Sequence, residues 1–284
     1  MMTRLASRGV AALAVALLLS SCGPKPSYKT AELVPAIQAI CKNEYKFDVT
    51  VRQVGQHTLA IHLHHAGLLE TADGRVELAP TANDTLGNLI EAVHRVVLSS
   101  DAPIQFYLIL ASDPKIPNIA FTLVRYVDDV RRANANMLTP TEFYSRTIFD
   151  LHFVSTPTFT LDQVATSDIN LEQFLSWQLA KRIQARLADS LKSRGVSIAD
   201  MVRCNGEYQN GEFAFTFSLD PQEEGPATHE PDPELLQQVF HDSAEVIAQV
   251  LSGYRFEKYN AIRLVHPPTG RSLLLPKTRL ELLK

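Results

Sequence analysis

The feature that most constrains this fold is a switch in hydrophobic period, from two residues to 3.6 and back, that occurs twice in the same order. In the first instance Phe47 to Gln53 and Thr58 to His65 alternate apolar and polar residues around Val54-Gly55-Gln56-His57, which predicts a hairpin. A polar turn at Asp73-Gly74 and a loop at Pro80 lead to a helix capped near Asp84, with Leu86, Leu89, Ile90, Val93, Val96 and Val97 along one face. Ile104 to Ala111 is apolar at nearly every position, as in a strand covered on both sides, and Ile119 to Tyr126 follows the turn at Pro114 and Pro117. In the second instance Val202 to Tyr208 and Glu212 to Leu219 flank Gln209-Asn210-Gly211. A helix from about Pro233 to Leu251 follows, with Leu235, Leu236, Val239, Phe240, Val246, Ile247, Val250 and Leu251 as its stripe. Asn260 to His266 and Arg271 to Leu275 close the set around Pro267-Pro268-Thr269-Gly270. Laying Thr58 to Leu63 over Glu212 to Phe217 sets Leu59, Ile61 and Leu63 on Phe213, Phe215 and Phe217, so duplication of one unit is expected.

Thr30 is placed to cap a short helix with Leu33, Ile37, Ile40 and Cys41 on one face. Between the halves, Thr139-Pro140-Thr141-Glu142 has capping-box spacing and predicts a helix through Leu151. Val154 to Ile169 reads as loose. Asn170 with Gln173 then caps a longer helix carrying Leu171, Phe174, Leu175, Leu179, Ile183, Leu187 and Leu191, with Arg182, Arg186 and Lys192 on its wet side. Hairpins separated by single helices make mainly antiparallel sheets with helices on one face. The expected class is α+β: two tandem hairpin-helix-hairpin repeats joined by a helical bridge, each with its own sheet. The boundaries read as a leader at 1–21, a tether at 22–31, a first repeat with bridging helix at 32–153, and a long helix with the second repeat at 154–284.

The leader has Arg4 and Arg8, an apolar run from Val10 to Leu19, and small residues Ser20 and Ser21, the layout of a secretory signal peptide. The run is about half the ~20 residues that cross a bilayer, so a spanning helix is not expected. Leu19-Ser20-Ser21-Cys22 resembles the lipobox of bacterial lipoproteins, in which cleavage before the cysteine makes it the lipidated N-terminus. The resemblance covers residues 1 to 22 and implies cleavage between Ser21 and Cys22, with more than one palmitate-type chain on Cys22. One acyl chain holds a protein only marginally, at about 0.8 kcal/mol per buried methylene, and two make a stable anchor. Gly23 stands where enterobacterial lipoproteins of the inner membrane carry aspartate. The expectation is therefore a lipid anchor in the cell envelope, in the outer membrane facing the periplasm if the cell has two membranes. Gly23 to Thr30, stiffened by Pro24 and Pro26, reaches at most ~3.5 Å per residue and keeps the body within about 30 Å of the bilayer.

The chain has 27 basic and 31 acidic side chains; without Arg4 and Arg8 that is 25 against 31, a formal charge of about −6. No basic face is signalled, and nucleic acid is not expected as a partner. With Cys22 acylated, Cys41 and Cys204 remain. They read as two buried thiols acting as small hydrophobes or, export permitting, as one disulfide.

No glycine-rich phosphate loop, nucleophile elbow or His-Glu-x-x-His helix occurs. His241-Asp242-Ser243 are consecutive on a helix and point about 100° apart, which rules out a triad. The best metal candidate is His62-Leu63-His64-His65: on a strand His62 and His64 leave the same side, as paired imidazole ligands do. A third ligand would have to come from His57, His94 or Glu91. A solvated histidine face is the plainer account, so no metal or other cofactor is expected. The stripe of Phe213, Phe215 and Phe217 reads as core. Arg125, Asp128, Asp129, Arg131 and Arg132 read as a wet helix face, and Asp220 to Asp232 as an exposed acidic loop. No catalytic residue is assigned. The first expectation is a non-catalytic, lipid-anchored scaffold or binding protein that positions another envelope component. The alternative is a metal-dependent envelope enzyme or metal carrier centred on His62 and His64. A third possibility, a glycan binder, needs Tyr107, Trp177 or Tyr259 together on an open surface.

Overall fold

The two hydrophobic patterns become two sheets in a computed structural model that describes residues 26–72, 75–153, 160–193, 202–218 and 233–283. The leader with Ser21 and Cys22, and the acidic loop at 220–232, lie outside the described residues.

In the first half, helix α1 (Leu33–Asn43) precedes strands β1 (Thr50–Val54) and β2 (Thr58–His64). A small ladder of β3 (Leu69–Ala72) and β4 (Arg75–Leu78) leads to α2 (Ala82–Leu98), then β5 (Phe106–Ser112) and β6 (Ile119–Tyr126). Helices α3 (Val127–Asn134) and α4 (Pro140–Arg146) and strand β7 (Ile148–Phe153) complete it. The bridge is a short α5 (Leu161–Val164) and a long α6 (Leu171–Ser193). The second half is β8 (Arg203–Gln209), β9 (Glu212–Ser218), α7 (Pro233–Tyr254), β10 (Ala261–His266), β11 (Arg271–Pro276) and α8 (Lys277–Leu280).

The main sheets are ordered β1-β2-β5-β6-β7 and β11-β10-β9-β8, and they do not merge. The class is α+β with mainly antiparallel pairing. In each sheet the first hairpin joins the second through one parallel pair, β2 with β5 and β9 with β10. A helical crossover, α2 or α7, returns the chain in the direction such a pair requires. The order hairpin, helix, hairpin and the strand directions therefore agree in both halves, apart from the β3–β4 ladder that the first half inserts before α2.

The register explains the core. Leu59 pairs with Tyr107 and Ile61 with Ile109; Phe213 pairs with Ile262 and Phe215 with Leu264. The first set packs with Leu33, Ile37, Leu89 and Val93 of α1 and α2. The second packs with Leu179 and Ile183 of α6 and Ile247 and Leu251 of α7. Burying each phenylalanine is worth about 1.5–3 kcal/mol. On the opposite face of the first sheet Ala60, Phe106, Leu108, Leu110, Val124 and Ile148 meet Leu161, Ala165, Ile169 and Phe174 of the bridge. The first sheet is thus covered on both faces, not on one, which is why β5 is buried along its whole length.

Two local expectations are corrected. Thr139 caps α4 by accepting from the Glu142 N–H at 3.1 Å, but the helix ends at Arg146. Thr147 turns to an extended conformation (φ −80°, ψ 133°), and the chain pairs with β6 as the outer strand β7. Asp129 is not on a wet face. Its Oδ1 accepts from Arg146 Nη1 at 2.8 Å, with the two side chains 3% and 5% exposed. Its Oδ2 accepts from the Tyr254 hydroxyl at 2.6 Å. Gln178 Nε2 donates to that hydroxyl and to the Arg146 carbonyl, so α3, α4, α6 and α7 meet on one buried polar network between the halves.

Candidate functional site

Helix α6 has two cores to serve. Leu175, Leu179, Ile183 and Leu187 face the second sheet, while Phe174 reaches the first. A third stripe, Trp177, Ala180, Lys181 and Gln184, runs between the two, with Trp177 packed against the first sheet and Ala180 in the second core, and lines a cleft of about 640 Å³. Its floor is Leu108, Thr122, Val124, Ile148 and Asp150 of the first sheet, its far wall Arg203 to Glu207 of β8, and Val164 closes one side. That volume lies within the usual range of ligand sites.

Apolar groups dominate the floor, and charges sit at defined points. Lys181 Nζ pairs with Asp150 Oδ1 at 2.8 Å, both partly exposed. Arg203 and Glu207 are exposed on one side of β8. Cys204 also lines the cleft, but burial pushes its thiol up to about 12 against the pull of Lys181, which makes it a poor nucleophile. Gly206 is required where it stands: a Cβ there would lie 2.4 Å from the Ser176 carbonyl oxygen, so β8 packs on α6 only without a side chain.

The histidine candidates lie elsewhere on the same face of the first sheet. His62 Nε2 and His64 Nδ1 converge on the Ser112 hydroxyl at 2.8 and 2.9 Å, with ring centroids 6.0 Å apart. A hydroxyl has one proton, so it donates to one imidazole and accepts from the other. Burial, then the proximity of His64, lowers the His62 pKa. Among the described residues no third histidine, cysteine, aspartate or glutamate joins them into a metal-holding group. Of the suggested third ligands, His94 and His57 are engaged apart from the pair, and Glu91 is exposed on α2, across the sheet from it. His94 Nε2 is 2.8 Å from the Tyr107 hydroxyl on the α2 side of the sheet, and burial with Arg125 nearby pulls it down to about 4. His57 Nδ1 is 3.1 Å from Asp168. Asp168 also accepts from the Gln56 N–H and the Thr58 hydroxyl, fastening the first hairpin's turn to the bridge. Burial raises its pKa, but these hydrogen bonds outweigh it and hold the carboxyl below its usual range.

Cys41 and Cys204 are both free and buried in different cores, so the disulfide considered from the sequence is not formed. Burial raises the Cys41 thiol to about 11. His241, Asp242 and Ser243 go to three partners, Glu245, Gln238 and the Val239 carbonyl. Tyr107 and Tyr259 are buried in separate cores while Trp177 lines the cleft, so these three form no shared aromatic platform.

Sequence reasoning missed Lys181, Asp150 and β8 as neighbours. The helical period places Asp150 on a helix, and nothing local in the sequence marks residues that meet only through tertiary packing.

No family model matches the chain, and no curated protein or solved structure matches it.

Proposed function

We propose that this chain is a lipid-anchored envelope protein of non-catalytic, binding type that holds another envelope component in the cleft between its halves. The observation that carries the reading is the cleft itself: its apolar floor, Trp177 and the Lys181–Asp150 pair come from both halves and the bridge. The lipobox resemblance at Leu19 to Cys22 supplies the compartment. Cys204, held as the neutral thiol, supports binding in preference to nucleophilic chemistry there.

The test is a photocrosslinking amino acid in place of Gln184, in the cleft, or of Lys42, on the exposed side of α1, introduced into the full-length chain in its own cell. An envelope component crosslinked from position 184 and not from 42 is expected. Equal capture from both positions, or none from 184, overturns the assignment.

The convergence of His62 and His64 on one hydroxyl keeps a second reading, a metal carrier or metal-dependent enzyme. One equivalent of zinc in detergent-solubilised protein, lost on His62→Ala, would establish it in place of the first.

A further inference from the structure

We infer that the occupant of the cleft is an extended polypeptide segment of a partner protein, which adds as a fifth strand to the open edge of β8. The inference rests on the cleft being the binding surface and names what binds there.

Five consecutive residues, Arg203 to Glu207, line the cleft. Successive side chains of a strand leave on opposite faces, so a surface reached by all five is the strand's edge and not one of its faces. The hairpin turn fixes which backbone groups that edge presents. Asn210 and Gly211 have φ of 53° and 81°, the two positive values of a tight two-residue turn closed by Gln209 and Glu212. The pair that closes such a turn exchanges both backbone hydrogen bonds, and bonded pairs then alternate: Glu207 with Ala214, Asn205 with Thr216, Arg203 with Ser218. Cys204, Gly206 and Tyr208 therefore aim their N–H and C=O groups outward. β8 is the last strand of its sheet, and among the described residues those outward groups have no backbone partner. An unpaired row of this kind is a template for another strand.

The surroundings set the segment's chemistry. Alternate side chains would enter the cleft toward Trp177, Leu108 and Val124, which selects apolar residues. The others would lie beside Arg203 and Glu207, exposed on one side of β8 and without an ion-pair partner among the described residues. An acidic residue opposite Arg203 and a basic one opposite Glu207 complement them in the antiparallel direction. The concave setting, between β8 and the first sheet, suits a single segment.

The probe is the peptide acetyl-Val-Lys-Val-Thr-Val-Glu-Val-amide, titrated into the full chain by calorimetry with amide exchange read at Cys204 and Gly206. Binding is expected with slowed exchange at both amides. N-methylating the third and fifth residues, whose N–H groups face β8, should weaken binding about tenfold or more, because each lost hydrogen bond is worth about 0.5–1.5 kcal/mol. N-methylating the central threonine, whose N–H faces away, should leave affinity within about threefold. Equal effects of the two methylations, or no binding with unchanged exchange, overturn strand addition. Protection of the same amides without peptide, rising with protein concentration, overturns it in favour of a second copy. An envelope adduct at position 184 alongside a failed methylation pattern refutes the strand and leaves the cleft reading standing. Failure of both refutes the cleft reading itself.

Discussion

Replacing Arg146 with alanine should destabilise the fold by about 3–5 kcal/mol, the cost of removing one partner from a buried ion pair. The magnitude follows from what the guanidinium leaves behind. Asp129 is 3% exposed at its side chain and would lose its 2.8 Å partner in a site water does not reach. The Tyr254 ring, with the guanidinium carbon 4.4 Å from its centroid, would lose a cation–π contact, and Glu142 would lose a 2.8 Å hydrogen bond from Arg146 Nε. For a chain of this size each kcal/mol moves Tm by about 2–4 °C, so a drop of roughly 6–20 °C is expected. The pH dependence identifies the cause. Burial already raises the Asp129 pKa against the pull of Tyr254 and Arg146, and without Arg146 it rises further. The folded variant then binds more protons than the unfolded chain, so its deficit narrows as pH falls from 7 toward the ordinary carboxylate range. Urea unfolding at pH 7 and pH 5 measures both effects. Removing both charges with Asp129→Leu and Arg146→Met should recover most of the loss, because no charge is left buried. A loss below about 1 kcal/mol that is the same at both pH values would refute the assignment of this network as the junction of the halves.

His94, held near 4 against about 6.5 when unfolded, should make stability fall as pH drops through that window. The unfolded chain takes up the proton first, at a cost approaching 3 kcal/mol by pH 4, and His94→Phe should flatten that part of the profile. Gly206→Ala should cost about 1–3 kcal/mol in urea unfolding, since its Cβ would meet the Ser176 carbonyl at 2.4 Å; a neutral result would mean that β8 and α6 separate freely. Cys22→Ser should move the protein from the membrane to the aqueous fraction and abolish incorporation of radiolabelled palmitate, whereas persistence in the membrane would remove the anchor from the account. Metal analysis of the detergent-solubilised protein should find less than a tenth of an equivalent of zinc, unchanged by His62→Ala.

Where period and turn chemistry act locally, the sequence carried the fold. The turn marked at Gln209-Asn210-Gly211 forms there, tightened to Asn210 and Gly211 because Gln209 pairs with Glu212, and Asn170 caps α6 by accepting from the Gln173 N–H at 2.8 Å. The three phenylalanines of β9 are all fully buried in the second core. Strand β7 is not legible in the sequence because Ile148 and Leu151 fit a helical continuation as well as a strand, and pairing with β6 decides between them. The burial of Asp129 is not legible because charge along a helix says nothing of a guanidinium arriving from the next helix. The ladder of β3 and β4 is not signalled by the sequence beyond the polar residues Asp73-Gly74 between its strands, which lie outside the described residues. The cleft was illegible for the same reason as Asp129: Lys181, Asp150 and Arg203 share a surface only after both sheets pack on α6. Of the three aromatics a glycan binder would need, Trp177 lines the cleft, while Tyr107 and Tyr259 are buried.

The chain has one tryptophan, and it lies in the cleft. Labelling Trp177 with 5-fluorotryptophan therefore gives a single fluorine resonance that reports on the cleft alone. With a detergent-solubilised envelope fraction from the source cell, that resonance should shift or broaden, and a cytosolic fraction should leave it in place. An unmoved resonance in a sample where the immobilised protein retains an envelope component would place binding elsewhere and contradict the account.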